Sequence, residues 1–180
     1  SDNVAGAAPE IMAALAEANR GDVSSYGADP FSAELDAAFS ALFDHDCKVF
    51  PVATGTAANV LSLACLVPGY GAIYCHQDAH IAVDECNAPE FYTGGAKLTL
   101  VGGPQGKIGP GELAAALASE GNRGVHGPRR GALSLTQATE KGSVYSLDEV
   151  RALTAQAAAL GLPVHLDGTR LSNALVTLGC

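Results

Sequence analysis

The feature of this sequence that most constrains its fold is a regular alternation of strand-like and helix-like segments. Short apolar runs bounded by glycine, proline or polar residues are typical of buried strands; they are residues 48–53, 72–75, 97–101, 131–136 and 163–167. Strands that alternate with helices form right-handed βαβ units and a parallel sheet. The sequence therefore predicts an α/β fold in a single domain body over residues 1–180, with a mostly parallel sheet and helices on both faces.

Capping residues place the starts of several helices. Asp29 stands directly before Pro30, which puts a capping carboxylate ahead of a proline at the first helical position. Ser146 and Glu149 have the spacing of a capping box. Apolar periodicity and turn residues predict the remaining helices, which cover residues 9–19, 30–43, a segment opened by 54–57, a segment from His80, 110–119, 147–160 and 171–178.

Composition excludes several classes of partner and predicts a location. The formal net charge is -9, which argues against nucleic acid and anionic membranes because phosphate binding depends on clustered Lys and Arg. The chain has neither an apolar run long enough to span a bilayer nor the pattern of a signal peptide at Ser1. We therefore expect a cytoplasmic protein whose partners are neither nucleic acid nor a membrane.

The cysteines predict neither disulfides nor a metal site. The chain contains 5 cysteines, an odd number, and none of them forms a CxxC pair. We expect most of them to be buried free thiols. Because the chain starts without Met and stops just after an apolar helix pattern, we also expect it to be a fragment of a longer polypeptide.

The turn after the first predicted strand is a candidate anion site. Gly55 permits a close approach of the backbone and Thr56 adds a hydroxyl donor, at a point where a strand passes through a small turn into a helix. This arrangement presents free backbone N–H groups at the positive end of a helix. A tight strand-to-helix turn without any ligand is the alternative.

The last predicted strand delivers Asp167, and then Arg170, to its carboxyl end, where ligands bind in open α/β sheets. Asp167 could cap the following helix. Alternatively, it could keep a proton on the ring nitrogen of a pyridine cofactor and so make the ring a better electron sink. His80, at a predicted helix start, could be a cap or surface group, or a flat group that stacks on a ring.

A phosphate site, a flat side chain and a partner for a ring nitrogen together point to pyridoxal phosphate. The alternative is a non-catalytic α/β module in which Gly55 and Thr56 hold some phosphate and Asp167 serves only as a cap. Five motifs follow one another along the chain: residues 1–3, 26–30, 54–59, 79–80 with Glu85, and 165–174. In these motifs the sequence resembles the low-specificity threonine aldolase and β-eliminating lyase family. Residues 136–140 and 142–145 are similar to the phenylserine aldolase branch.

The resemblance implies the large domain, here incomplete, of a fold-type-I pyridoxal-phosphate enzyme that is usually a homotetramer, with active sites at a dimer interface. Such enzymes cleave β-hydroxy-α-amino acids to glycine and an aldehyde. A β-eliminating or decarboxylating relative that uses the same site is the alternative. The small C-terminal domain of the family would be absent from this chain.

The resemblance also assigns roles to individual residues. It implies that Gly55, Thr56 and Ala57 hold the cofactor phosphate. His80 would stack on the ring, Asp167 would bind the ring nitrogen, and Arg170 would contact the phenolate edge. Ser1 and Tyr26 would bind the substrate.

The sequence departs from the family pattern at two points. Glu140 stands where many members carry a second catalytic histidine, and it is therefore a candidate base beside His80. No lysine follows Asp167, so the chain lacks the family's Schiff-base lysine and should be inactive by itself. We expect surface roles for the lysines that are present, Lys48, Lys97, Lys107 and Lys141.

Overall fold

A computed structural model describes residues 4–120 and 123–180. The chain divides into two compact units, Ser1–Pro51 and Val52–Cys180, and each is described by itself. The first unit contains helices α1 (Pro9–Ala18) and α2 (Pro30–Phe43). The Asp29 carboxylate caps α2 by accepting a hydrogen bond from the Ser32 N–H at 2.8 Å. Both helices are where the sequence predicted them.

The predicted strand at residues 48–53 is wrong, because this segment is irregular in the structure. The N–H of Val49 donates to Oδ1 of Asp36 at 2.8 Å, so a side chain accepts the bond that a neighbouring strand would otherwise accept. Pro51 has no N–H to contribute to a ladder. This apolar run is therefore not a strand of the described sheet.

The second unit contains a parallel sheet of β1 (Gly71–His76), β2 (Lys97–Val101), β3 (Arg129–Thr136) and β4 (Val164–Asp167). The strand order is β2-β1-β3-β4, and each neighbouring pair is parallel. These four strands were predicted within one or two residues. Because all four run the same way, their carboxyl ends lie at one edge of the sheet.

Six α-helices of the second unit are described. They are α3 (Gly55–Leu66), α4 (His80–Val83), α5 (Ala88–Tyr92), α6 (Pro110–Glu120), α7 (Leu147–Ala159) and α8 (Leu171–Leu178). The predicted capping box is present at the start of α7, where Ser146 and Glu149 bond each other's backbone N–H. Helix α5 was not predicted, because five residues are too few to show a helical period.

Apolar side chains pack against both faces of the sheet, as the sequence predicted. One core joins α6 and α7 to the sheet; its largest members are Tyr74, Leu113, Leu133, Tyr145 and Leu153. The other core joins α3 to the opposite face, and its members include Leu63, Val67, Ile73, Cys75 and Ala132. The two cores fix β1 and β3 from both sides, which gives the carboxyl edge of the sheet a rigid base.

The prediction that most cysteines are buried is wrong. Cys75 is buried in β1, Cys47 is partly buried, and the other three are exposed: Cys65, Cys86 and Cys180. Cys65 lies on an exposed side of α3, Cys86 lies in the turn after α4, and Cys180 follows α8. None of these three thiols belongs to either core. Among the described residues, no helix is both long and apolar enough to cross a membrane.

Candidate functional site

Asp167 is the last residue of β4, and its side chain is buried at the carboxyl edge of the sheet. Its Oδ1 accepts hydrogen bonds from the backbone N–H of Thr169 at 3.1 Å and from the Thr169 hydroxyl at 2.8 Å. Its Oδ2 accepts from Nδ2 of Asn59 at 3.3 Å. Asp167 is not the N-cap of α8, because that position belongs to Arg170. The capping alternative for Asp167 is therefore wrong.

A hydrogen-bonded path connects His80 to Asp167 through two buried side chains. Nδ1 of His80 lies 2.9 Å from Oε1 of Glu85, and Nδ2 of Asn59 donates to the same oxygen at 2.8 Å. Since the Asn59 amide also donates to Asp167, four residues form one continuous set. We call His80, Glu85, Asn59 and Asp167 the His80–Asp167 network.

The sequence predicted roles for His80 and Asp167, the two ends of this network, but not for the two residues between them. Asn59 and Glu85 stood in the quoted motifs without an assigned role. The signal that could have identified them is a polar side chain in a segment that is largely apolar. An amide or a carboxylate that is buried in such a segment needs a polar partner.

His80 is the exposed end of the network, with 40% of its side chain accessible, whereas Glu85 is fully buried. Burial of the imidazole lowers the His80 pKa, but the hydrogen bond to Glu85 and the negative charges of Glu85, Glu140 and Asp84 outweigh burial and raise it overall. The other ring nitrogen, Nε2, has no hydrogen-bond partner among residues 4–120 and 123–180. An imidazole with one nitrogen held and the other accessible is suited to proton transfer.

Arg170 and Glu140 form an ion pair beside this network. Nη2 of Arg170 lies 2.8 Å from Oε1 of Glu140, and Nε of Arg170 donates to the Ala138 carbonyl at 3.2 Å. Each side chain is 21% exposed. The structure thus brings together two residues that the sequence had treated separately, one as a cofactor contact and the other as a candidate base.

The predicted anion site lies at the first turn of α3. Thr54 is the N-cap, and its hydroxyl accepts a hydrogen bond from the Ala57 N–H at 3.1 Å. Ala57 therefore has an internal partner, whereas the N–H groups of Gly55 and Thr56 have none in the described part of the chain. A Cβ built on Gly55 would meet no atom within 4 Å, so the space in front of this turn is open.

Helix α3 links the anion site to the His80–Asp167 network, because Asn59 lies one turn after Gly55. Four residues of helix span about 6 Å, so the two free N–H groups and the Asn59 amide are close along one rigid element. The donor set suits a small planar heteroaromatic phosphate: N–H groups for the phosphate, a carboxylate for a ring nitrogen and an imidazole for the ring face. Pyridoxal 5'-phosphate has this chemistry, so the residues fit the predicted cofactor.

The predicted substrate residues lie in the first part of the chain. Ser1 falls outside the described residues. Tyr26 belongs to the first unit, has a left-handed backbone conformation with a φ of 60°, and exposes its whole side chain.

Each lysine of the chain pairs with a carboxylate. The pairs are Lys48 with Asp36, Lys97 with Glu120, Lys107 with Glu149 and Lys141 with Asp78. Lys107 was expected at the surface, but its side chain is only 24% exposed, because it is drawn inward to both carboxylate oxygens of Glu149 and to the Val144 carbonyl.

The chain is similar to several known proteins. A family model described as beta-eliminating lyase matches residues 1–180. The low specificity L-threonine aldolase of Pseudomonas aeruginosa is 44% identical over 180 residues, which is 100% of this chain and 51% of that protein. The enzyme of the same name from a Pseudomonas species is 42% identical with the same coverage.

A solved structure of Leishmania major threonine aldolase superposes with a TM-score of 0.89 at 27% identity, over 97% of this chain and 50% of that one. The chain thus spans about half the length of the relatives that it matches.

Proposed function

The chain belongs to the beta-eliminating lyase family, and from that premise we propose that it forms the cofactor-binding part of a pyridoxal-phosphate-dependent carbon–carbon lyase. The proposed reaction is the cleavage of β-hydroxy-α-amino acids, of the threonine or phenylserine type, to glycine and an aldehyde. The observation that carries the proposal is the His80–Asp167 network, which joins a proton-transfer group to a carboxylate beside an open helix N-terminus.

Asp167 and α3 would hold the two ends of the cofactor. The N–H groups of Gly55 and Thr56 would bind the phosphate, assisted by the positive end of the helix. Asp167 is buried and oriented by Thr169, so its charge would favour a proton on the ring nitrogen. When bound, pyridoxal 5'-phosphate supplies an electron sink for the bond broken at the substrate α-carbon.

His80 is the residue to which we assign proton transfer. Its accessible Nε2 would accept the proton of the substrate β-hydroxyl, while Nδ1 stays bonded to Glu85. Glu140 was the second candidate base, but one of its carboxylate oxygens faces the guanidinium of Arg170 at 2.8 Å. The contacts therefore favour His80 as the base, and Glu140 as the residue that orients Arg170 toward the cofactor.

The proposal extends to the organisation of the enzyme. We propose a homo-oligomer, a dimer of dimers located in the cytoplasm, in which residues 1–180 form the first part of the large domain. Tyr26 and Ser1 are retained as proposed substrate-binding residues. Because each lysine of the chain pairs with a carboxylate and none follows Asp167, residues 1–180 alone would lack the Schiff-base lysine.

The test is made on the protein produced from the complete gene. We expect it to purify with the visible absorbance of bound pyridoxal phosphate and to release glycine and an aldehyde from threonine or phenylserine. Replacing Asp167 with Ala should nearly abolish turnover. The matched control is Asp148→Ala, which removes an exposed carboxylate from the first turn of α7 and should leave turnover unchanged.

Other outcomes separate the alternatives. A colourless protein that binds inorganic phosphate and releases no aldehyde would support the non-catalytic phosphate-binding module. Release of ammonia and a keto acid, without glycine, would assign the β-eliminating alternative. Unchanged turnover in the Asp167→Ala protein would remove that carboxylate from the mechanism.

A further inference from the structure

The fully buried carboxylate of Glu85 stands out among the side chains of the second unit. It lies in the turn after α4 with a side-chain exposure of 0%. Burying a charge is costly unless the charge is paired and hydrogen-bonded. Oε1 receives both His80 and Asn59, while Oε2 has no hydrogen-bond partner among the described residues. Its interactions are therefore concentrated on one oxygen, and that oxygen faces His80.

The hydrogen bond between Glu85 and His80 fixes where the imidazole proton lies. A carboxylate oxygen only accepts hydrogen bonds, so the Nδ1 atom that contacts it at 2.9 Å must carry hydrogen. In the neutral ring, the lone pair is then on Nε2, which is the nitrogen at the accessible end of the side chain. The Asn59 amide supports this arrangement because its Nδ2 donates to the same oxygen at 2.8 Å and keeps that oxygen aimed at His80.

We propose that Glu85, held by Asn59, is a positioning residue that keeps the proton of His80 on Nδ1, so that Nε2 is the atom that accepts the substrate proton. The inference deepens the proposed function and depends on it for the identity of the proton donor. Glu85 itself touches neither substrate nor cofactor in this role, since it acts through His80.

The proton and the electrons balance in this step. The hydroxyl proton of the substrate moves to Nε2, and the ring becomes an imidazolium whose Nδ1–H remains on Glu85. The oxygen would form a carbonyl with the β-carbon as the bond between the α- and β-carbons breaks, and a bound cofactor would supply the acceptor for the released electron pair. Glu85 thereby faces the positive charge that forms on His80.

The negative charges around His80 also favour the protonated form of its imidazole. The titratable groups that influence His80 are Glu85 and Asp84 from the turn after α4 and Glu140 from the loop after β3, and their negative charges raise its pKa. Arg170 offsets part of the Glu140 charge through its ion pair. Glu85 is the one among them that also bonds the ring directly.

The decisive readout is nuclear magnetic resonance of the histidine ring nitrogens, recorded on the cofactor-free protein from the complete gene with 15N-histidine. His80 is assigned by its loss in His80→Gln. We expect the Nδ1-protonated tautomer at high pH in the parent protein and a lower pKa of His80 in Glu85→Gln. The matched control is Glu90→Gln, which changes another carboxylate with an unpartnered buried oxygen and should leave the His80 pKa in place.

Activity of the loaded enzyme gives a second, separate readout. In Glu85→Ala, kcat should fall on the order of tenfold or more, as part of the 10²–10⁴-fold that general acid–base catalysis contributes, with KM little changed. In Glu85→Gln, the acidic limb of the pH profile should move to lower pH. Glu90→Gln should retain the parent profile.

Two results would overturn the inference. The first is an Nε2-protonated tautomer of His80 in the parent protein, which needs no variant and holds even if Glu85→Gln fails to fold. The second is an unchanged His80 pKa in a folded Glu85→Gln protein. If the protein released no aldehyde but the ring were Nδ1-protonated, the proposed function would fail while the control of the ring proton by Glu85 would stand.

Discussion

Replacing Asn59 with Ala tests whether the middle of the His80–Asp167 network stabilises the protein. The change removes two hydrogen bonds to buried carboxylates, at 2.8 Å to Glu85 and 3.3 Å to Asp167. A hydrogen bond to a charged group contributes about 1.5–3 kcal/mol. The second contact is longer than the usual range for N–H···O bonds, so we count it at about half. The expected loss in the free energy of unfolding is therefore about 2–4.5 kcal/mol.

The assay is urea unfolding of the cofactor-free protein at pH 7, followed by circular dichroism. The matched control is Asn173→Ala, the same substitution at an exposed position of α8. Both variants place alanine in a helix, so the difference between them reports chiefly on the buried contacts. An exposed substitution of this kind changes stability by no more than about 0.5 kcal/mol. If Asn59→Ala were no more destabilised than Asn173→Ala, the network would contribute nothing to folding.

Three further predictions concern the core and the charges around His80. Leu153→Ala, at a fully buried position of α7, should cost about 2–5 kcal/mol by urea unfolding; a cost below 1 kcal/mol would contradict the packing described for this core. The raised pKa of His80 means that the pairing with Glu85 stabilises the fold fully below the unfolded value of about 6.5 and loses this effect as pH rises through the folded value. The stability difference between the parent and His80→Gln should therefore be largest below about pH 6.5 and shrink above it, and a difference that grows with pH would refute this. Glu140→Gln should lower the His80 pKa, measured by nuclear magnetic resonance titration, and by less than Glu85→Gln does, because Glu140 acts through its charge alone.

The sequence predicted the fold correctly wherever a strand-like or helix-like pattern of apolar residues is also buried in the structure. The α/β class, the parallel sheet, the fold-type-I architecture and the family are confirmed, and pyridoxal phosphate is confirmed as the cofactor at the level of the family. The segment at residues 48–53 has a strand-like composition, but strands need a neighbour, and here a side chain of α2 accepts the Val49 N–H. Composition cannot show which apolar run finds a partner.

The sequence predicted His80 and Asp167 as site residues, but it did not predict that Asn59 and Glu85 connect them. Asp167 stands at the carboxyl end of a strand, where ligands bind in open α/β sheets, and His80 stands at the start of a helix, so the sequence alone marks both as candidate ligand contacts. Asn59 is 26 positions from Glu85 and 108 positions from Asp167, so the contacts that join them depend on the packing of α3 against the sheet. The same holds for the pairing of Glu140 with Arg170, which follows from the ends of β3 and β4 lying side by side.

The most direct test of the central claim is a crystal structure of the protein from the complete gene with pyridoxal phosphate bound. The account predicts that the phosphate lies against the N–H groups of Gly55 and Thr56, that Asp167 accepts a hydrogen bond from the ring nitrogen, and that the imidazole of His80 lies on the ring face. A phosphate bound away from α3, or a ring nitrogen without contact to Asp167, would contradict it.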